Sequence, residues 1–200
     1  MCSKLLGVDI DSKLNFSKHI SKVSSKLAYC GYMLSKLQGT VSTDVLKLIY
    51  NAFGNSFLTY SVSVWGNTFS STLKPLKVIQ NSLIRRLHVN YDNIRTDELY
   101  KHLNILTVNN LYLLYSACYI FKAQHNLVPN SISNLLIIQN THYYNTRHMN
   151  LLNKPQYKLM CSTKDLSWSG PTIWNKLPLY IKDSTSFSLF KLKLKNFLLM

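Results

Sequence analysis

Between Asn15 and Leu37 the apolar residues Phe16, Ile20, Val23, Leu27, Cys30, Leu34 and Leu37 recur in steps that alternate four and three. Such spacing lays one apolar stripe along an α-helix. Lys18, Lys22, Lys26 and Lys36 then fall on the back and one flank of that helix, with Tyr29 beside them. One face is made to pack and the other to meet negative charge. Asn15 is placed to cap the first free N–H groups, and Gly39 to release the chain at the far end. Upstream, Leu6, Val8 and Ile10 alternate with Gly7 and Asp9, which predicts a short strand over 5–10 and a turn at Asp11-Ser12. A lone strand needs partners, and the expectation is a sheet lying upstream.

Further along, Ser42 or Thr43 can cap a second helix carrying Val45, Leu46, Ile49, Tyr50 and Phe53, which Gly54-Asn55 weakens. The β-branched and aromatic run from Phe57 to Trp65 favours strand by propensity or a buried continuation of the helix, and Ser56 to Tyr60 is read as helix. Ser70-Ser71-Thr72 restarts the chain, and Leu73, Leu76, Ile79, Leu83, Ile84 and Leu87 share a face. Lys74, Lys77, Asn81 and Arg85 line a second face, with Arg86 further round. Thr96 caps a short helix through His102, and Thr107 opens one that is apolar all round, which should be central and which Pro129 ends. Composition shifts after the apolar run Leu135 to Ile138. Beyond it come an aromatic, basic segment from His142 to Arg147, a strand from Tyr157 to Cys161, a turn at Ser169-Gly170-Pro171, and a last helix capped by Ser186. The fold class is therefore mainly α: a basic helical bundle with a short N-terminal strand and a small mixed α/β C-terminal part. It divides into a strand and turn over 1–12, a helical domain over 13–138 and an extension over 139–200.

Charge changes the picture most. Lys and Arg number 23 against eight Asp and Glu, and the net +15 is spread along the 200 residues. A field of that sign draws in polyanions, nucleic acid first, with a lysine-rich soluble protein or an anionic membrane surface as the alternatives. Apolar residues make up 46% of the chain against six Gly and five Pro, which suits a folded core and not disorder. Cys2, Cys30, Cys118 and Cys161 are too scattered for a disulfide framework or a zinc finger, so reduced thiols in a cytoplasmic or nuclear setting are expected. No cleavable signal is expected at the N-terminus. The longest apolar tract, Leu111 to Phe121, is too short to cross a bilayer, so no membrane partner is expected.

The chemistry-bearing residues exclude more than they offer. Two-metal nucleotidyl transfer needs converging carboxylates. Asp9 with Asp11 share a strand face by spacing, but no third carboxylate lies near and Asp11 suits a turn; Asp97-Glu98 reads as a negative first helical turn. The six histidines form no His-x-x-x-His pair, and neither a Gly-rich phosphate loop nor a Gly-x-Ser-x-Gly elbow appears. No catalytic, metal or cofactor-binding residue and no small-molecule substrate are expected. What remains is phosphate binding by Lys18, Lys22, Lys26, Lys74, Lys77, Arg85 and Arg86, with Tyr143, Tyr144 and Arg147 stacking on bases and gripping phosphate in the C-terminal part.

Leu6-Gly7-Val8-Asp9-Ile10-Asp11 followed by Leu14, His19 and Ile20 resembles the segment just after the polymerase active site in reverse transcriptases of jockey-like non-LTR (LINE) retrotransposons. Four more stretches agree in order: Leu58-Thr59-Tyr60 with Val64-Trp65-Gly66; Gln80 with Ile84-Arg85-Arg86; Thr146-Arg147; and Gly170 with Ile173-Trp174-Asn175-Lys176-Leu177-Pro178. Phe16 stands where that family often has tryptophan. The resemblance implies the thumb and C-terminal region of an RNA-directed DNA polymerase. In that family a hairpin supports the primer end, the helices after it hold the template–primer duplex, and the palm, with its aspartates and Mg, lies upstream. The expectation is a transposable-element fragment that binds an RNA–DNA or DNA duplex non-specifically, partners the missing palm and does not polymerise alone. The alternatives are a helical protein-interaction scaffold, a non-functional remnant of a mobile element, or a metal-dependent nuclease using Asp9 and Asp11.

Overall fold

The structure, a computed structural model, describes residues 2–87, 94–136, 151–156 and 164–200. The chain is mainly helical with a two-stranded antiparallel sheet at its N-terminus. It forms two compact units: the first runs to Tyr112 and takes in Leu199–Met200, and the second spans Leu113–Leu198. The boundary expected near residue 139 and the strand expected over Tyr157 to Cys161 lie outside the described residues.

The first unit opens with β1 (Cys2–Leu5) and β2 (Val8–Asp11), paired so that Leu5 faces Val8 across a two-residue turn. The single strand expected over 5–10 is thus a hairpin, and its partner is local. Leu6 (φ 45) and Gly7 (φ 83) both take left-handed backbone, the conformation that matches the twist of a two-residue turn. Gly7 adopts it without strain. β2 packs on α1 (Ser17–Leu37), whose stripe from Ile20 through Val23, Leu27 and Cys30 to Leu34 is buried as the spacing predicts. Each fully buried leucine contributes about 1.5–3 kcal/mol.

The expected Asn15 cap is not made. Phe16, with φ 56, holds the N-cap position, and Asp11 Oδ1 instead accepts the backbone N–H groups of Lys13 and Asn15 at 3.0 Å each. A short carboxylate at a chain reversal reaches amides two to four residues on more readily than Asn15 reaches into its own helix. Gly39, at φ 84, releases the chain as expected.

Next come α2 (Thr43–Ile49), a π-helical turn (Tyr50–Asn55), α3 (Ser56–Thr59) and α4 (Val62–Trp65). The stretch from Phe57 to Trp65 is therefore two short helices broken at Tyr60 and Ser61, where Ser61 takes φ 50, with Leu58, Val62 and Trp65 buried. Of the second helix's expected apolar face, Leu46 and Tyr50 are buried, while Val45 (41%) and Phe53 (47%) stay exposed. The wider π-turn rotates the residues after it, which displaces Phe53 from the face Leu46 starts. Gly54 permits that turn to close on the core, since a Cβ there would sit 3.0 Å from the Tyr50 ring and 3.6 Å from Cys30 Sγ.

Helix α5 (Ser70–Arg86) packs along α1. Thr68 Oγ1 donates to the Asn15 carbonyl at 2.8 Å, and Gly31 lies against Leu83 and Arg86, so the two helices run parallel. The inner face of α5 holds Leu73, Leu76, Leu83, Ile84 and, unexpectedly, Gln80, which is 1% exposed. Gln80 Nε2 donates to the Tyr50 hydroxyl (3.1 Å) and the Leu106 carbonyl (3.0 Å), while its Oε1 accepts from Val108 N–H (2.9 Å). Ile79, expected inside, is half-buried. Helix α6 (Thr96–Leu103) follows, then α7 (Val108–Gln124), where Thr107 Oγ1 accepts from Asn110 N–H. Thr96 does not cap α6; it is the first helical residue, and its hydroxyl accepts from Arg85 instead.

In the second unit, α7 continues to Gln124 and is followed by α8 (Asn130–Leu136), α9 (Leu166–Lys176), α10 (Leu179–Lys182) and α11 (Phe187–Leu199). The turn expected at Ser169-Gly170-Pro171 is helix interior. Gly170 is buried so closely that a Cβ would lie 2.6 Å from Ile120 Cδ1, and this packing overrides the local turn signal. Asp165 caps α9 by accepting from Leu166 N–H at 2.8 Å. Phe121, Phe190 and Trp174 stack in series, with centroids 4.4 and 5.8 Å apart. Ser186 caps α11 through Leu189 N–H.

Candidate nucleic-acid interface

Helix α1 carries four lysines and no carboxylate. Its apolar stripe faces the hairpin, the π-turn and α5, so the opposite face stays in solvent and carries Lys18, Lys22, Tyr29 and Lys36, with Lys26 on one flank. Tyr29 is 64% and Tyr32 58% exposed. The Lys36 ammonium lies 5.6 Å from the Tyr32 ring centroid, and that of Lys26 5.1 Å from the Phe57 ring. Cations interleaved with the exposed rings of Tyr29 and Tyr32 on one helix can neutralise phosphates and offer stacking surfaces.

Lys22 is tethered. Its Nζ donates to Asp9 Oδ1 at 2.7 Å, and Asp9 is buried on β2. That bond, opposed by burial and helped by the charges of Lys22, Lys18 and His19, holds the Asp9 carboxyl below its ordinary range. His19 is buried beside it, with Nδ1 4.0 Å from Asp9 Oδ2 and its ring 5.9 Å from Trp65. Burial lowers the pKa of His19 more than Asp9 restores it. Asp9 Oδ2 and both ring nitrogens of His19 have no hydrogen-bond partner. The turn amides, Asn15 N–H first, lower the Asp11 carboxyl. Asp9 is thus engaged by Lys22, and Asp11 by backbone amides. Among the described residues no group of three or more His, Cys, Asp or Glu is placed to hold a metal ion.

The basic positions of α5 lie elsewhere. Lys74 and Arg85 are exposed and Lys77 is half-buried, on a face turned away from α1 and toward α6. There Arg85 Nη2 donates to Thr96 Oγ1 at 2.9 Å, and the Tyr100 hydroxyl donates to Asn81. Arg86 is half-buried and lies across Gly31 of α1, where a Cβ would meet its Nη1 at 2.6 Å. The structure therefore gathers Lys18, Lys22 and Lys26 on one face and sets Lys74, Lys77 and Arg85 on another. Tyr143, Tyr144 and Arg147 lie outside the described residues. Lys36, placed on the cationic side by its spacing, was not counted among the phosphate contacts, and Tyr32 was not among the candidates; helical spacing from Tyr29 is the signal that finds Tyr32.

No helix among the described residues is long and apolar enough to cross a membrane. No family model matches the chain, and no solved structure matches it. Two curated proteins of Drosophila melanogaster do. A probable RNA-directed DNA polymerase from transposon X-element is 28% identical over 109 residues, 53% of this chain and 12% of that protein. The RNA-directed DNA polymerase from mobile element jockey is 24% identical over 137 residues, 66% of this chain and 15% of that protein. The chain thus spans less than a sixth of these relatives, and over half to two thirds of its own length it is similar to RNA-directed DNA polymerases of mobile elements.

Proposed function

We propose that the chain is a thumb-like fragment of a retrotransposon RNA-directed DNA polymerase, which holds template–primer duplex through the outer face of α1 and does not polymerise alone. One observation carries the reading: Lys18, Lys26 and Lys36 stand on a carboxylate-free helix face with Tyr29 and Tyr32, while the opposite face is fixed in the core. Backbone neutralisation needs no base reading, which suits a surface that must accept any sequence. The commitment of Asp9 and Asp11 to Lys22 and to turn amides supports a binding role and not a metal-dependent one.

The test is binding of an RNA–DNA hybrid across a salt series. About three phosphate contacts give a slope of about −3 in log K against log salt, and Lys18→Gln with Lys26→Gln and Lys36→Gln removes most of it. A salt-independent affinity, or one that the triple variant leaves intact, refutes the reading. A second reading rests on the hairpin, where Leu5 (61%), Leu6 (83%), Leu14 (54%) and Tyr60 (53%) are exposed. That apolar rim suits a protein partner, the polymerase palm in the first instance.

A further inference from the structure

The second unit has cationic chemistry of its own. Residues 113–198 hold ten Lys and Arg against two Asp, and neither α7 nor α11 contains a carboxylate. The two helices pack antiparallel, since Phe121 stacks on Phe190 and meets Phe187 at a tilt, while Tyr115 meets Lys191 further along. On α7, Tyr115, Tyr119 and Lys122 follow helical spacing on one side; on α11, Lys191 and Lys195 follow Phe187 at single turns. Cys118, on α7 between Tyr115 and Lys122 in sequence, is buried. The result is one seam of three lysines and three half-buried rings. The Lys122 ammonium lies 4.5 Å from the Phe187 centroid, and that of Lys191 5.5 Å from the Tyr115 centroid.

We infer that this α7–α11 seam is a second polyanion site, and that it takes single-stranded nucleic acid. Lys122 and Lys191 supply phosphate contacts, Lys195 adds positive charge on the same side of α11, and neither helix carries a carboxylate. The rings decide between single strand and duplex, because a base face is available to an aromatic side chain only when it is unpaired. Lysine over the open face of a half-buried ring is a weak contact, weaker than a base stacked on that ring. A strand that draws Lys122 and Lys191 onto its phosphates therefore uncovers Phe187 and Tyr115 for its bases. This inference does not rest on the α1 reading, since it concerns another unit and another ligand form.

Fluorescence anisotropy on the full chain with an oligothymidylate of about twenty nucleotides tests it. Lys122→Gln, Lys191→Gln and Lys195→Gln together should weaken binding at low salt about tenfold or more and reduce the salt slope by about two. Tyr119→Leu should weaken binding with the slope unchanged, which separates stacking from charge. The α1 triple variant removes the same net charge and should leave oligothymidylate affinity within about threefold. Equal losses from the two triple variants would reduce the effect to net charge and overturn the inference. So would wild-type binding by the seam variant, or seam-dependent binding of phosphatidylserine vesicles with no binding of the oligonucleotide.

Discussion

Gln80 is a polar side chain at a position where helical spacing would tolerate leucine, and replacing it by methionine isolates what its amide does. Methionine keeps length and volume, so packing loss stays small. Three partners then lose their bonds at once. Val108 N–H is the most expensive, because the first N–H groups of a helix have no partner inside it and Val108 begins α7 while itself 1% exposed. A buried orphan donor costs about 1–3 kcal/mol. The Leu106 carbonyl and the Tyr50 hydroxyl, which is fully buried, each lose a donor at somewhat lower cost. Taken together, Gln80→Met should cost about 3–5 kcal/mol, a large part of the roughly 5–15 kcal/mol that holds a domain folded.

Urea unfolding, followed by hydrogen exchange at amides of the first unit, reads this directly: the midpoint should fall with the denaturant slope unchanged. Gln80→Glu provides an internal control. It keeps an acceptor for Val108 N–H but turns a carboxylate toward the Leu106 carbonyl, so its folded-state pKa rises. The stability so recovered is present at low pH, where the acid can donate, and is lost as pH rises through that raised value. A Gln80→Met protein within about 1 kcal/mol of wild type would refute the reasoning, since the polar junction would then carry no net stability.

Three further outcomes follow from the same geometry. A Cβ on Gly66 would sit 2.5 Å from the Val62 carbonyl oxygen and 2.9 Å from Tyr112 Cβ. Gly66→Ala should therefore cost about 2–3 kcal/mol by thermal unfolding, whereas Gly31→Ala, which displaces the tip of Arg86, asks Leu83 Cδ2 at 3.1 Å to give by a few tenths of an ångström and gains helix propensity, should cost about 1 kcal/mol or less. His19 has its pKa lowered by burial from 6.5, so the unfolded chain binds its proton first. Stability should fall as pH drops below about 6.5 and level off below the folded value, and His19→Gln should flatten that segment of a urea-midpoint profile. Asp9→Asn removes the partner of Lys22 and returns its ammonium to the α1 face, so hybrid affinity measured at constant salt should rise, while Lys18→Gln should lower it.

What was legible in the sequence was whatever depends on period alone. The α1 stripe, the Ser186 cap and the helical state of Ser56–Thr59 follow from spacing and local chemistry. The hairpin did not, because Leu6-Gly7 lacks the Asn or Asp that normally marks a two-residue turn, and alternation continues across it. Pro171 reads as a breaker until Gly170 is found buried against Ile120. Gln80 was visible as part of an ordered motif, but its burial depends on Tyr50, Leu106 and Val108, which lie 26 to 30 residues away. On the candidate face, spacing placed the lysines correctly around the helix axis. It could not show that Lys22 is tied to a residue 13 positions upstream, or that Arg86 crosses Gly31.

These tertiary commitments sort the cations by what they are free to do. A lysine already held by a buried carboxylate must break that bond before it can meet a phosphate, and its exchange gains less than that of a lysine in water. By this argument Lys18 and Lys36 offer more to a polyanion than Lys22, although all lie on the same solvent face of α1. Arg85 is likewise engaged with Thr96, and Arg86 lies against Gly31 of α1. The α1 and α5 helices run parallel and turn their lysines away from the contact between them, which sets Lys18 and Lys36 on one face and Lys74 and Lys77 on another. Substitutions on the two helices should then act on different ligand contacts, so their effects on hybrid affinity add only where both faces are occupied.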